Sequence, residues 1–189
     1  MEASEKYIHE DLIDKCRLND KRAQFEIYKL YYKQMYNTSL RILNNTAEAE
    51  DTMQDSFLDA FRKLDSFKGD GNFGGWLRRI VVNNSLDALK RRKETFTLEE
   101  NKLEIVDEKD EYIENVEYQV EEIKKGMRLL PEEHRVIISL FLFEGYDHDE
   151  IAQILAISNN ASRTRFSRAK GKLIRILAEQ RTIKMFHPN

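Results

Sequence analysis

Apolar residues recur every three or four positions along most of this chain, the spacing that places them on one side of an α-helix. Ile8, Leu12 and Ile13 open the series, and Phe25, Tyr28, Tyr32, Met35 and Tyr36 continue it to Leu40 and Leu43. "NNTAE" then reads as a break and a restart, with Asn45 three residues ahead of Glu48 as a helix cap. Met53, Phe57, Ala60, Phe61 and Leu64 form the next stripe. "KGDGNFGG", from Lys68 to Gly75, collects four of the chain's seven glycines and is expected to be a loop. A further helix is predicted from about Gly75 to Lys93, with Leu77, Ile80, Val81 and Ala88 turned to the core.

The apolar period fades between Glu94 and about Val120, a stretch expected to be a linker with a helical turn or two. It returns at Leu130-Pro131, where the proline suits the first position of a helix. Val136, Ile137, Leu140 and Phe143 are the predicted buried side, and Gly145 the terminator. Asp147 and Glu150 have the spacing of a capping pair ahead of Ile151, Ala152, Ile154 and Leu155. "AIS" is then a turn in which Ile157 plugs the core and Ser158 caps a longer helix. That helix carries Phe166, Ala169, Leu173 and Ile176 or Leu177 on its inner side. A short helix, a tight turn and a longer helix make a helix-turn-helix.

Charge turns this helical outline into a functional one. The formal net charge is only −3, yet Leu77 to Lys93 holds six bases against one acid, and Ser158 to Lys184 eight against one. Between them, Glu94 to Glu122 holds twelve acids and two lysines. Two basic blocks flanking an acidic one suit a protein that grips a polyanion at two places. The second helix of a helix-turn-helix enters the DNA major groove. Arg163, Thr164, Ser167 and Arg168 fall near its outer side, Arg165 lies among them, and Lys170 and Lys172 are placed for phosphates. On the earlier helix Trp76, Arg79, Asn83 and Lys90 share a face. That face fits base stacking and base-edge hydrogen bonding; it equally fits a solvated basic surface with a half-buried indole.

Composition adds bounds. Seven glycines, two prolines and few β-branched runs argue for an all-α chain. One cysteine, Cys16, cannot form an internal disulfide and fits a reducing compartment. The first residues lack a basic stretch leading into an apolar one, and the greasiest run, Val136 to Phe143, is too short to span a bilayer. A cytoplasmic protein without membrane insertion is expected. Neither Glu132 to His134 nor His148 to Glu150 has metal-ligand spacing, and no Gly-rich phosphate loop occurs, so no metal, cofactor or catalytic residue is predicted.

At this point the chain resembles an extracytoplasmic-function sigma factor, a specificity subunit of bacterial RNA polymerase. "AEAEDTMQDSFLDAFRKLDSFKGDGNFGGWLRRIVVNNSLDALKRRK" resembles the family's second conserved region, and "LPEEHRVIISLFLFEGYDHDEIAQILAISNNASRTRFSRAKGKL" its fourth. The resemblance implies two small helical domains, residues 1–93 and 123–189, joined by an acidic linker over 94–122 that threads the polymerase channel. It implies that Glu50, Asp51, Gln54, Asp55 and Phe57 dock on the core-polymerase clamp. It assigns the melted minus-ten strand to Lys68, Asn72, Phe73, Trp76, Arg79, Asn83 and Lys90. The duplex minus-thirty-five element falls to Arg163, Thr164, Arg165, Ser167, Arg168 and Lys170. The implied partners are core RNA polymerase, promoter DNA and, in many relatives, an anti-sigma factor. Two places depart from the family pattern: Asn160-Ala161-Ser162 replaces a small-Thr-Val run, and Ala156 stands where the turn usually has glycine. A free-standing regulator with a similar helix-turn-helix is the rival reading, and it leaves the Trp76 face unexplained.

Overall fold

The computed structural model describes residues 9–69, 72–96 and 116–186, and all regular structure among them is helical. The chain divides into two compact units, Met1–Glu94 and Thr95–Asn189.

The first unit contains α1 (Glu10–Arg17), α2 (Lys21–Leu43), α3 (Thr46–Arg62) and α4 (Phe73–Phe96), with α1 and α3 both packed on α2. Local chemistry sets the boundaries. Asp20 caps α2 by accepting from the Arg22 and Ala23 amides at 2.8 and 3.3 Å. The two asparagines of "NNTAE" divide the work between α2 and α3: Asn44 stops α2 in the left-handed region at φ 55°, and Asn45 Oδ1 accepts from the Glu48 amide at 3.0 Å. The Glu48 carboxylate lies instead 3.4 Å from Arg92 Nη1, which ties the end of α4 to the start of α3.

Ile13, Ile27, Met35, Met53, Phe57, Ala60, Leu64, Leu77 and Val81 form the core of this unit. Burying each of the larger side chains contributes about 1.5–3 kcal/mol. Two serines let α2 and α4 approach closely. Ser39 and Ser85 are fully buried with hydroxyls 3.1 Å apart, and Ser85 Oγ donates to the Val81 carbonyl at 2.8 Å. Ser39 therefore supplies the proton between them. Phe25 departs from its predicted place in the apolar stripe: it is 58% exposed, and Ala23 and Ile27 point inward instead. Cys16 is buried, and desolvation, aided by the Asp20 carboxylate, pushes its thiol pKa up to about 11.

The second unit contains α5 (Val116–Arg128), α6 (Glu132–Ile138), α7 (His148–Leu155) and α8 (Asn159–Phe186); α5, α6 and α7 each pack on α8. α5 begins inside the segment expected to be linker. Glu122, Met127 and Leu130 are buried there, so acidic positions counted as linker belong to a helix with an inner face. Glu94 to Phe96 continue α4 past its predicted end at Lys93, and the remaining linker residues, 97–115, lie outside the described residues.

α6 continues as a π-helical turn over Ser139–Phe143, closed by the Glu144 amide donating to the Ser139 carbonyl at 3.1 Å. Ser139 and Leu140 remain buried through it, but Leu142 and Phe143 turn outward, with Phe143 43% exposed rather than buried as its spacing predicted. Gly145, at φ 78°, makes the left-handed exit.

Candidate nucleic-acid interface

Three surfaces carry the predicted site residues. On α3, Glu50, Asp51, Gln54 and Asp55 are all exposed, opposite buried Ala49, Thr52, Met53, Ser56 and Phe57. Gln54 Nε2 donates to Glu50 Oε1 at 3.3 Å along this stripe. Phe57 is 3% exposed, packed against Tyr28 and Phe61, so it supports the stripe from beneath instead of contacting a partner. Leu58, 53% exposed, continues the stripe four residues after Gln54. Sequence reading missed it, because a leucine at helical spacing is ordinarily assigned to the core.

The second surface is the start of α4. Asn72 Oδ1 accepts from the Gly74 amide at 2.9 Å, a helix cap that starts α4 two residues before the predicted Gly75. A Cβ on Gly74 would lie 2.9 Å from the Tyr31 ring, so glycine is what lets this turn approach α2. Phe73 is 2% exposed, set among Tyr31, Phe67 and Trp76 with ring centroids 5.5 Å apart in each case. It is a core side chain, which corrects its assignment to the strand-reading set. Its effect is indirect: together with Phe67, centroid 5.4 Å from the indole, it props Trp76 half-buried at the edge of the aromatic cluster. Burial also raises the Tyr31 phenol pKa above its ordinary value.

Arg79, Asn83 and Lys90 are exposed along the same side of α4, and Lys68 is exposed in the preceding loop. Lys90 Nζ lies 3.1 Å from Asp87 Oδ1, so part of the charge on this face is compensated within the helix. Asn84, one residue along, turns inward and joins α4 to α3 through Ser56 Oγ at 3.1 Å and Asp59 Oδ2 at 3.3 Å.

The third surface is the helix-turn-helix. Asp147 caps α7 through the Asp149 and Glu150 amides, both at 2.8 Å, and Glu150 Oε2 accepts from the Asp147 amide at 2.9 Å. This is the reciprocal box the Asp147 and Glu150 spacing predicted. Ala156 then turns the chain at φ 52°, ψ 48°, and Ser158 Oγ accepts from the Ala161 amide at 3.1 Å to start α8. Ser162 and Ala169 are fully buried, Leu173 nearly so, and Phe166 half-buried, which fixes the inner line of α8.

At about 100° per residue the direction opposite that line holds Asn160, Thr164, Ser167, Arg168 and Arg175. All five are exposed, as are Arg163 and Lys170 on one flank and Arg165 and Lys172 on the other. Asn160 and Arg175 were not assigned to the DNA face from the sequence, although extending the Thr164 to Arg168 face by one turn toward the start of α8 and two toward its end finds both. The face contains no acidic side chain from Asn159 to Ala178.

A face of this kind is common to many regulators, and comparison with known proteins separates them. A family model for Sigma-70 region 2 matches residues 27–95, and one for Sigma-70 region 4 matches residues 121–173. The chain is a sigma factor. It belongs to the extracytoplasmic-function group of that family, acting with RNA polymerase to recognise promoters. It is 27% identical to the extracytoplasmic-function sigma factor SigM of Mycobacterium tuberculosis, over 84% of this chain and 79% of the relative. To the sigma-E factor of Salmonella typhimurium it is 29% identical, over 88% and 93%. In fold, the sigma factor is similar to RpoE of Bartonella quintana, solved in complex with the anti-sigma factor NepR, with TM-score 0.63 and 21% identity, covering 81% of this chain and 95% of that one. No helix among the described residues of the sigma factor is long and apolar enough to cross a membrane. Among the same residues no cluster of His, Cys, Asp and Glu is placed to hold a metal ion.

Proposed function

We propose that the three surfaces divide the sigma factor's work. Thr164, Ser167 and Arg168 read base edges of the duplex minus-thirty-five element, Arg163 reads from one flank, and Arg165, Lys170 and Lys172 hold phosphates. Trp76, with Arg79 and Asn83, takes an unstacked base of the minus-ten strand, and Lys68 and Lys90 draw in its backbone. Glu50, Asp51, Gln54, Asp55 and Leu58 dock on a basic surface of core polymerase. The first DNA-reading domain runs to residue 93, the second takes in α5 from Val116, and the acidic stretch between them occupies the nucleic-acid channel of the polymerase. The protein works in the cytoplasm, contributes binding rather than catalysis, and is open to inhibition by an anti-sigma partner that covers one of these surfaces.

The observation that carries this reading is the separation of two unlike basic faces onto two units. One is an acid-free outer face on the second helix of a helix-turn-helix; the other is a propped, half-exposed indole beside Arg79 and Asn83. The first geometry suits duplex grooves and the second suits splayed bases. Reversing one charge of the α3 stripe tests the docking assignment. Asp55→Arg should lower co-elution with core polymerase by about tenfold or more while duplex binding by the purified chain is unchanged. Undiminished co-elution would remove α3 from the interface.

A further inference from the structure

The first turns of α7 and α8 are joined by two polar links. His148 Nδ1 and Ser162 Oγ lie 2.9 Å apart at a fully buried serine, and the imidazole is stacked on Phe141, centroid 4.7 Å, and set edge-on to Phe166 at 5.7 Å. The neighbouring pair, Asp149 and Asn159, forms the second link at the surface. Asn159 Nδ2 donates to Asp149 Oδ1 at 2.6 Å, and Asn159 Oδ1 accepts from Arg163 Nε at 2.8 Å.

The second link forms a relay with a direction. The Asp149 carboxylate can only accept, so it takes an N–H of the Asn159 amide and thereby presents the amide oxygen to α8. That oxygen engages the guanidinium at Nε, the donor farthest from the tip. The paired Nη groups, whose fork matches a guanine edge, are not used by this bond. A free arginine on a helix surface samples many rotamers, and binding DNA must then order it. An arginine held at Nε has lost part of that freedom beforehand, so less of the base contact is offset by ordering. The part-buried His148–Ser162 link keeps the two first turns at the separation the relay needs.

We infer that Asp149 and Asn159 are positioning residues that set base selectivity through Arg163, without contacting the base it reads. This inference rests on the reading of Arg163 as a base contact, and the experiment below separates the two. Neither residue belongs to the DNA-reading face predicted from the sequence.

The test uses the full chain with core polymerase and a promoter library randomised across the minus-thirty-five element, with transcript counts giving the preference at each base pair. Arg163→Ala should flatten the preference at one or two base pairs. Asn159→Ala and Asp149→Ala should flatten the same base pairs, by roughly fivefold. Asp149→Asn keeps an oxygen acceptor and should stay within about twofold of the parent. Asn159→Ala added to Arg163→Ala should change nothing further. Equal loss over every library member, flattening at a different base pair, or an unchanged preference in Asn159→Ala would overturn the positioning role. Should Arg163→Ala flatten no base pair, the reading of Arg163 falls first and the relay with it.

Discussion

Among the described non-glycine residues with left-handed backbone, His9, Asn19, Asn44 and Ala156, the alanine has no polar side chain to favour that conformation, and Ala156→Gly measures the cost. Its φ of 52° and ψ of 48° put it in the left-handed region, where a Cβ costs roughly 1–2 kcal/mol. The side chain is exposed, so removing it forfeits no packing. The turn's bonds, including the Ile157 amide to the Ala152 carbonyl at 2.9 Å, are backbone bonds that glycine keeps. Against the relief stands the extra freedom glycine gives the unfolded chain, about 0.4–1 kcal/mol. The net expectation is a gain of about 0.5–1 kcal/mol, which for a unit of this size raises the midpoint by roughly 2–8 °C. Calorimetry and far-ultraviolet circular dichroism report the unfolding of both helical units, so the helix-turn-helix midpoint is the transition left when that of the first unit is identified. Fluorescence of Trp76, the chain's single tryptophan, follows the other unit and should keep its midpoint. Asn44→Gly is the control: asparagine tolerates this region, so the same change there should move stability by only a few tenths of a kcal/mol. A lowered or unmoved helix-turn-helix midpoint in Ala156→Gly would refute the strained turn.

Other surfaces make separable predictions. Trp76→Ala should slow strand opening, read by permanganate reactivity of the minus-ten thymines, by about fivefold to a hundredfold, with core binding retained; normal opening would place the indole outside the single-strand path. Arg168→Ala should weaken transcription from cognate promoters by an amount corresponding to about 1–3 kcal/mol while co-elution with core polymerase is unchanged, and parallel loss of core affinity would remove it from the DNA face. Cys16 should resist a thiol reagent at pH 8 in the native chain and react promptly in denaturant; rapid native labelling would contradict its burial. Its thiol pKa is raised from 9.0 to about 11, so the native state favours the neutral form. That preference stabilises the fold fully below about pH 9 and is lost as pH climbs through 11, with Tyr31 acting in the same direction. Denaturant midpoints of the Trp76 unit measured from pH 8 to 11 should therefore fall.

Much of the helical order was legible because caps and breaks are written in local chemistry. The Asn45 cap, the Asp147–Glu150 box, the Ser158 cap and the Gly145 exit all depend on residues within four positions of one another. What escaped was set at longer range. Phe25 fits the apolar period yet faces solvent, because the contacts with α1 and α3 select Ala23 and Ile27 instead. Phe73 looked like a loop aromatic available for stacking, and only the arrival of Tyr31 and Phe67 from elsewhere in the chain makes it core. The acidic reading of residues 94–122 concealed the inner face of α5, because the buried position it reaches there, Glu122, is itself an acid, and buried Met127 follows only beyond that stretch. On the site, side-chain type and spacing located the outer face of α8. They could not show that Asn159 and Asp149 brace Arg163, because Asp149 is ten residues before Asn159 and meets it only across the turn.

The π-turn at Ser139–Phe143 has a consequence for how this protein can vary in length. It holds one residue more than the α-helical turn it replaces, with Ser139 and Leu140 buried and Leu142 and Phe143 turned out. The wider turn takes up that extra residue, so its five residues advance the chain through about the rotation that four make in an α-helix. Deleting Leu142 or Phe143 would let an ordinary α-turn form with the chain beyond it still in phase with α6. A single-residue gap there is therefore gentler than its place beside a buried helix suggests, whereas a gap within α6 would swing Ser139 and Leu140 out of the core by about 100°.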